Sequence, residues 1–263
     1  MKIGFIGAGN MASSLIGGML KSGLINPTDA IISDKDTNKL KAWQEKGVAV
    51  TEDNLIVEEK SDIIILAVKP NIIEKVLKEL KGDKDKIYIS IAAGVSVEFL
   101  EKELGKGVKI VRTMPNTPAM VGCGMTVIAP NSKITDDEKD LVVKIFESIG
   151  AALVLPECEL EIATALHGSS PAYIYMMIDA MADAGVKYGL TKKNALLLAA
   201  KAVEGSAKMV METGIHPEQL KDNVCSPGGT TIAAVCELEN KGFKTAVQSA
   251  IDACVKRNNE MKQ

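Results

Sequence analysis

The chain has 263 residues, a net charge of -3 and a sequence pI near 5.6. This length suits two domains, and the mild acidity argues against nucleic acid or an anionic membrane surface as the main partner. Five cysteines without a Cys-x-x-Cys pair and only two histidines predict no metal site. No apolar run approaches the ~20 residues of a membrane span, and a strand pattern starts at the N-terminus in place of a signal peptide, which together predict a cytoplasmic protein.

The N-terminal pattern is an apolar strand that runs into Gly-x-Gly-x-x-Ala at Gly7, Gly9 and Ala12. In this fingerprint the first glycine makes a tight turn, the second admits a pyrophosphate, and the small third residue packs the helix on the sheet. A helix pattern follows, and a second strand over 30–33 ends at Asp34, where a ribose-binding acid is expected. This context predicts a nucleotide-binding site.

Strand and helix patterns alternate up to about residue 155. The alternation predicts a Rossmann-type doubly wound parallel sheet, which binds ligands at the carboxyl ends of its strands. Further strands are predicted near residues 48–50, 63–68, 87–91, 109–111, 125–128 and 152–155, and a helix over 136–148 with Thr135 as its N-cap.

Three non-helical segments fall at these carboxyl ends, namely 67–70, 92–94 and 112–118. Their small residues would let a flat nicotinamide lie against the backbone. Lys69 is a candidate general acid, although a lysine at a strand end more often binds a phosphate or faces solvent. The two prolines of 112–118 make a rigid turn an equal interpretation of that segment.

The second half of the chain is rich in Ala, Met and Leu, and the strand pattern stops after Pro156. Helices are predicted over residues 172–187, 194–211, 231–239 and 243–259, several of them apolar on more than one side. Such helices need a large partner surface. We therefore predict a nucleotide-binding domain over 1–157 and an all-helical dimerisation domain over 158–263. The alternative is a monomer that packs these helices against its own sheet.

A Cys-Ser-Pro-Gly-Gly-Thr-Thr run precedes one of these helices and ends at Thr231. Ser226 is a good N-cap, and Pro227 suits the first helical position. The two glycines would leave the N–H groups of the opening turn open to a ligand, with two threonine hydroxyls in reach. The run therefore predicts an anion site, with an ordinary capped helix as the alternative.

Together these motifs resemble the pyrroline-5-carboxylate reductases over nearly the whole chain. The resemblance is carried by residues 4–12 (GFIGAGNMA), 67–70, 114–118, 168–173 and above all 220–231 (LKDNVCSPGGTT), which is close to a family signature. It implies reduction of L-1-pyrroline-5-carboxylate to L-proline by NAD(P)H, the last step of proline biosynthesis. It also implies a homodimer, or a higher oligomer built on dimers, in which the substrate loop of one subunit completes the site of the other.

The resemblance also assigns site residues by position. The pyrophosphate would contact Ile6, Gly7, Ala8, Gly9, Asn10 and Met11, and the adenosine end would contact Ser33 and Asn54. The nicotinamide side would be lined by Ala67, Val68, Lys69, Pro70 and Ala93. The helical domain would contribute Asn223, Ser226, Gly229, Thr230 and Thr231.

A small anionic imine needs a clamp for its carboxylate, a hydroxyl near its nitrogen and a hydride donor across its ring. We expect the backbone amides of Gly229 and Thr230, aided by Ser226, to hold the carboxylate at a helix N-terminus. The Thr231 hydroxyl would form a hydrogen bond with the ring nitrogen, which makes Thr231 the candidate catalytic residue. Because the cofactor supplies the hydride, the reaction requires no metal.

Two positions depart from the family pattern. His167 stands where a serine is usual, and a histidine with satisfied contacts inside a helix is the favoured interpretation, with tuning of the pocket as the alternative. Cys225 stands where a serine or threonine is usual and is interpreted as a conservative small replacement.

The residues that follow the second strand give opposite indications about the cofactor. Asp34 would accept a hydrogen bond from a ribose 2′-hydroxyl and repel a 2′-phosphate, which favours NADH. Lys35 would pair with that phosphate, with Ser33 and Asn54 as neutral donors. Since the family resemblance leans toward NADPH, we expect NADP(H) to be preferred and NAD(H) to be usable, with Asp34 turned toward solvent or Lys35.

Two other functions stay open. A related hydroxyacid or imine-acid dehydrogenase would carry a catalytic lysine on an interdomain helix, for which the chain offers Lys187, Lys192, Lys193 and Lys201. A nucleotide-binding protein without turnover is the other alternative, although the intact loop over 226–231 argues against it.

Overall fold

The computed structural model describes residues 1–260. The chain forms two compact units: Met1–Ser169 together with the segment that begins at Val255, and Ser170–Cys254. The domain boundary expected after residue 157 stays a prediction.

An eight-stranded sheet forms the centre of the first unit, in the order β3-β2-β1-β4-β5-β6-β7-β8. The strands are β1 Ile3–Ile6, β2 Ala30–Ser33, β3 Ala49–Thr51, β4 Ile63–Leu66, β5 Ile87–Ser90, β6 Lys109–Met114, β7 Gly124–Pro130 and β8 Gly150–Val154. The first six are parallel and follow the Rossmann order, so the predicted fold class is confirmed.

The last two strands differ from a wholly parallel sheet. β7 runs antiparallel to β6, and β8 is parallel to β7, so both run opposite to the other six strands. The connection over 115–123 is shorter than the crossover of about a dozen residues that a parallel pair requires. The strand patterns located β7 and β8 but carried no information about their direction.

Helices cover both faces of this sheet, which explains why strands such as Ile63–Leu66 are buried along their whole length. The helices are α1 Asn10–Lys21, α2 Thr37–Gln44, α3 Asn54–Lys60, α4 Pro70–Leu77, α5 Val97–Leu104, α6 Asp136–Glu147 and α7 Leu160–Ala163. Thr135 caps α6 as predicted, because its hydroxyl accepts from the Glu138 N–H while the Glu138 carboxylate accepts from the Thr135 N–H.

The second unit is helical, as predicted. Its helices are α8 Ser170–Lys187, α9 Lys192–Thr213, α10 Pro217–Val224, α11 Thr230–Asn240 and the start of α12 Phe243–Glu260. The sequence patterns missed α10, whose signal is His216 as N-cap followed by Pro217 in the first turn.

The helical unit buries few side chains by itself. Across residues 170–254, all of which the structure describes, the buried hydrophobic side chains are those of Ala182, Ala195 and Ala199. Met176 and Tyr188 are 73% and 84% exposed. Contiguous exposed apolar surface of this kind marks an interaction surface. Within residues 1–260, no helix combines the length and apolar character that a membrane span requires.

Candidate functional site

The turn after β1 can be made only by glycine. Gly7 has a φ of +104°, and a Cβ atom at this position would lie 2.5 Å from the Ala67 carbonyl oxygen after β4. The Gly7 N–H donates to the Ser33 carbonyl at 2.7 Å, which ties the turn to the end of β2. The turn therefore lies at the point where the strand order reverses, the ligand-binding position of this fold.

Gly9 opens the N-terminus of α1 to a ligand. It is the N-cap residue, carries no capping side chain, and a Cβ built on it would meet no atom within 4 Å. The N–H groups of the first helical turn have no partner within the helix and face this open space. Exposed amides at a helix N-terminus, fronted by a glycine, fit the pyrophosphate of a dinucleotide.

Asp34 faces the glycine-rich turn. One of its carboxylate oxygens accepts from the Ala8 N–H at 2.7 Å and the other from the Asp36 N–H at 2.8 Å. The Lys35 ammonium donates to the Glu52 carbonyl at 3.0 Å. The expectation that Asp34 turns toward solvent or Lys35 is therefore wrong, since two backbone amides orient its carboxylate.

A cavity of about 290 Å³ lies beside the turn. It brings together seven of the expected cofactor residues, Ile6, Gly7, Ser33, Asp34, Lys35, Asn54 and Val68. The Ser33 hydroxyl donates to the Asn54 side-chain carbonyl at 2.6 Å, and the Asn54 amide donates to the Glu79 carboxylate at 2.7 Å. These contacts hold polar groups at the cavity wall, which fits the adenosine end of a dinucleotide.

One wall of this cavity was missed by sequence reasoning. It consists of Ile72, Lys75, Val76 and Glu79, on α4 and just beyond its end. These residues are spaced i, i+3, i+4, i+7 after Pro70, the first residue of α4. This spacing predicts one helix face, which is the face that lines the cavity.

The expected nicotinamide side consists of small residues apart from Lys69. Lys69 is the N-cap of α4 and, like Pro70 and Ala93, is exposed, whereas Ala67 and Val68 are half-buried. Small residues at this edge leave the backbone accessible to a flat ring.

The helix predicted over 231–239 is confirmed, but the interpretation of Ser226 as its N-cap and Pro227 as its first residue is wrong. The helix α11 begins at Thr230 with Gly229 as its N-cap. Residues 226–229 form a turn instead, in which Gly228 has a φ of +68° and the Gly229 N–H donates to the Ser226 carbonyl at 3.0 Å. Proline in the second and glycine in the third turn position, with this φ, is the pattern of a type II turn.

The turn changes which amides are free to bind a ligand. The Gly229 N–H is engaged within the turn, so the open donors are those of the first turn of α11, from Thr230 and Thr231. Thr230 is exposed and Thr231 half-buried in the same turn. Asn223, at the end of α10, accepts a hydrogen bond from the Gln219 side chain at 2.9 Å. The five expected substrate residues thus lie within one short stretch of the helical unit.

Two of the four lysines considered for a hydroxyacid dehydrogenase are engaged in ion pairs. Lys192 forms ion pairs with Asp179 and Asp183 at 2.7 and 2.6 Å, and Lys201 pairs with Glu204. These are partly exposed ion pairs on helix surfaces.

Two family models match the chain. One, described as pyrroline-5-carboxylate reductase dimerisation, matches residues 157–261, and one described as NADP oxidoreductase, coenzyme F420-dependent, matches residues 2–94. The curated pyrroline-5-carboxylate reductase of Escherichia coli is 45% identical over 99% of this chain and 98% of that protein. The one from Methanosarcina acetivorans is 43% identical over 99% and 97%.

Solved structures are similar over the same length. A pyrroline-5-carboxylate reductase from Coxiella burnetii has a TM-score of 0.94 at 37% identity, covering 100% of this chain and 98% of that one. The pyrroline carboxylate reductase of Plasmodium falciparum, with NADP bound, has a TM-score of 0.88 at 34% identity, with coverages of 100% and 98%.

Proposed function

Because this chain belongs to the pyrroline-5-carboxylate reductase family, we propose that it reduces L-1-pyrroline-5-carboxylate to L-proline with NAD(P)H, the last step of proline biosynthesis. The observation that carries the proposal is the presence in one chain of two helix N-termini open to anions. One follows the Gly7 turn, and the other follows the Ser226–Gly229 turn. The division into domains 1–157 and 158–263, and the cytoplasmic location, remain parts of this proposal.

The substrate carboxylate binds at the N-terminus of α11. The N–H groups of Thr230 and Thr231 donate to it, and the helix dipole favours its negative charge. The Ser226 hydroxyl and Asn223 complete the clamp, while the absence of a side chain at Gly229 leaves room for the Ser226 hydroxyl. Holding the carboxylate at one point fixes the orientation of the substrate ring.

The Thr231 hydroxyl acts at the other end of the substrate. It forms a hydrogen bond with the ring nitrogen, orients the C=N bond and helps to bring a proton to that nitrogen. When bound, the nicotinamide supplies the hydride, and the small residues at 67–70 and Ala93 let its ring lie flat. Catalysis is therefore mostly a matter of positioning two reactants, an effect that contributes several kcal/mol.

Substitution of Gly229 by valine should raise the KM for pyrroline-5-carboxylate by roughly tenfold, about the loss of one hydrogen bond to a charged group. The backbone at Gly229 is extended, with a φ of -79°, so valine is compatible with it. A side chain there would meet the Ser226 hydroxyl and fill the approach to the α11 amides. Steady-state kinetics test this, with NADPH affinity as the internal control. An unchanged KM would place the carboxylate elsewhere.

The enzyme uses NADP(H), and we propose that NAD(H) is also accepted. Lys35 provides the charge for a 2′-phosphate and gives up its hydrogen bond to the Glu52 carbonyl when the phosphate binds.

Removal of the Lys35 charge should therefore lower kcat/KM for NADPH by roughly tenfold and leave the value for NADH nearly unchanged. The matched control is Lys41→Ala, which removes an exposed lysine of α2 that is not part of the cavity. If the wild type preferred NADH and Lys35→Ala left kcat/KM for NADPH unchanged, Asp34 would be the residue that selects the cofactor.

The enzyme is a homo-oligomer, and we propose that its unit is a dimer joined through the exposed apolar faces of 170–254. Specific activity should then fall on dilution in parallel with the dimer fraction, because the helical unit lacks a core of its own. Analytical ultracentrifugation and activity measured on the same dilution series test this. A fully active monomer would contradict it.

An assay of NADPH absorbance separates the candidate functions. We expect oxidation of NADPH with pyrroline-5-carboxylate and none with small 2-keto acids. Turnover of a keto acid alone would favour the hydroxyacid dehydrogenase, and nucleotide binding without turnover of any substrate would favour a non-catalytic protein.

A further inference from the structure

His167 occupies an irregular helical turn at the end of the first unit. The segment Thr164–Gly168 is π-helical, and the Ser169 N–H donates to the Thr164 carbonyl at 3.1 Å. Insertions of this kind within helices are frequent at functional sites, where they re-aim a side chain. Here the turn directs the half-buried imidazole to the end of β6.

Both ring nitrogens of His167 face backbone carbonyl oxygens. Nδ1 lies 2.5 Å from the Ala163 oxygen, and Nε2 lies 2.8 Å from the Met114 oxygen. Which of the two nitrogens donates depends on the tautomer of the ring. The two contacts together link the end of α7 to the end of β6 through the imidazole.

The His167 backbone holds the same loop a second time. The Asn116 side-chain amide donates to the His167 carbonyl at 2.9 Å, and the Asn116 side-chain oxygen accepts from the Met125 N–H at 2.8 Å. These partners fix the orientation of the Asn116 amide, since one end faces a carbonyl and the other an N–H. Met114 and Asn116 flank Pro115, so His167 anchors the loop on both sides of that proline.

This loop continues β6 beyond its carboxyl end, which is the ligand-binding edge of the sheet. The end of β6 itself is fixed by the two residues before Met114. The Thr113 hydroxyl donates to the Ser90 carbonyl at 3.0 Å, and buried Arg112 is paired with Glu157 and Glu161 at 3.1 and 2.8 Å. The position of the loop beyond Met114 therefore depends on contacts such as those of His167.

We propose that His167 is a positioning residue for the reaction, whose ring and backbone carbonyl together hold the Met114–Asn116 loop at the ligand-binding edge of the sheet. The inference rests on the proposed reductase function only in assigning the loop to the active site. Loss of the ring contacts should shift this loop and lower kcat/KM for the substrate.

The first test observes the His167 ring directly by NMR and does not require an active variant. Because the chain has two histidines, ¹⁵N-histidine labelling gives a two-residue NMR spectrum, in which His167→Asn assigns the signals. We expect a His167 ring N–H signal that exchanges slowly with water, because the half-buried ring is hydrogen-bonded to a backbone carbonyl. Absence of any protected ring N–H would overturn the proposal, whether or not the protein reduces pyrroline-5-carboxylate.

The second test reads the reaction. His167→Asn should lower kcat/KM for pyrroline-5-carboxylate by roughly tenfold and leave NADPH affinity unchanged. His216→Asn, which changes the other histidine and keeps a good N-cap for α10, should retain the wild-type kcat/KM. Equal kcat/KM values for wild type and His167→Asn would overturn the positioning role. Absence of turnover in the wild type would instead count against the proposed function.

Discussion

Thr231→Ala should lower kcat for pyrroline-5-carboxylate by about 100-fold, the effect of removing one positioned hydrogen-bond donor from an active site. The hydroxyl lies in the first turn of α11, beside the amides that hold the substrate carboxylate. Because the side chain is half-buried at a helix start, its loss should change the free energy of unfolding by no more than about 0.5 kcal/mol. Steady-state kinetics with pyrroline-5-carboxylate and NADPH measure the effect.

Two further variants make this prediction specific. Thr231→Ser keeps the hydroxyl and should retain most of the turnover. Ser206→Ala removes a hydroxyl that donates to the Ala202 carbonyl within α9, at 2.8 Å, and should leave kcat unchanged. If Thr231→Ala turned over at nearly the wild-type rate, the nitrogen of the substrate would have to be oriented by another group.

Gly9→Val should lower the affinity for NADPH by at least about 100-fold, since a branched side chain would occupy the place of the pyrophosphate at the α1 N-terminus. The fold should tolerate it. Gly9 has an extended backbone with a φ of -76°, and a Cβ there meets no protein atom within 4 Å. Fluorescence titration with NADPH measures the affinity, and thermal unfolding verifies the fold.

Gly17→Ala is the matched control for Gly9→Val. A Cβ on Gly17 also meets nothing within 4 Å, but this glycine lies in the interior of α1. Alanine there should leave NADPH affinity unchanged and stabilise the protein by roughly 0.5–1 kcal/mol. NADPH affinity of Gly9→Val equal to that of Gly17→Ala would show that the pyrophosphate does not approach this turn.

Features set by short stretches of sequence were predictable. The Gly7 turn needs a positive φ and close approach to Ala67, and both requirements leave a clear signature in the Gly-x-Gly-x-x-Ala run. The β1 to β6 order follows from the alternation of strands and helices. The cap at Thr135 follows from its spacing to Glu138.

Features that depend on competing local or distant partners were not predictable. The N-cap of α11 was assigned to Ser226 in place of Gly229 because Pro227-Gly228 fits a turn as well as a helix start, and the turn is closed by the hydrogen bond from the Gly229 N–H to the Ser226 carbonyl. Asp34 is oriented by Ala8, which is distant in sequence. The Glu79 contact with Asn54 and the clamp of His167 on Met114 likewise join residues far apart in the chain.

The chain should couple NADPH oxidation to formation of proline. The most direct measurement incubates the purified protein with excess pyrroline-5-carboxylate and a limiting amount of NADPH, and quantifies proline by amino-acid analysis. We expect one proline formed for each NADPH oxidised, with the rates of both falling together in Thr231→Ala. NADPH oxidation without proline, or binding of NADPH without oxidation, would contradict it.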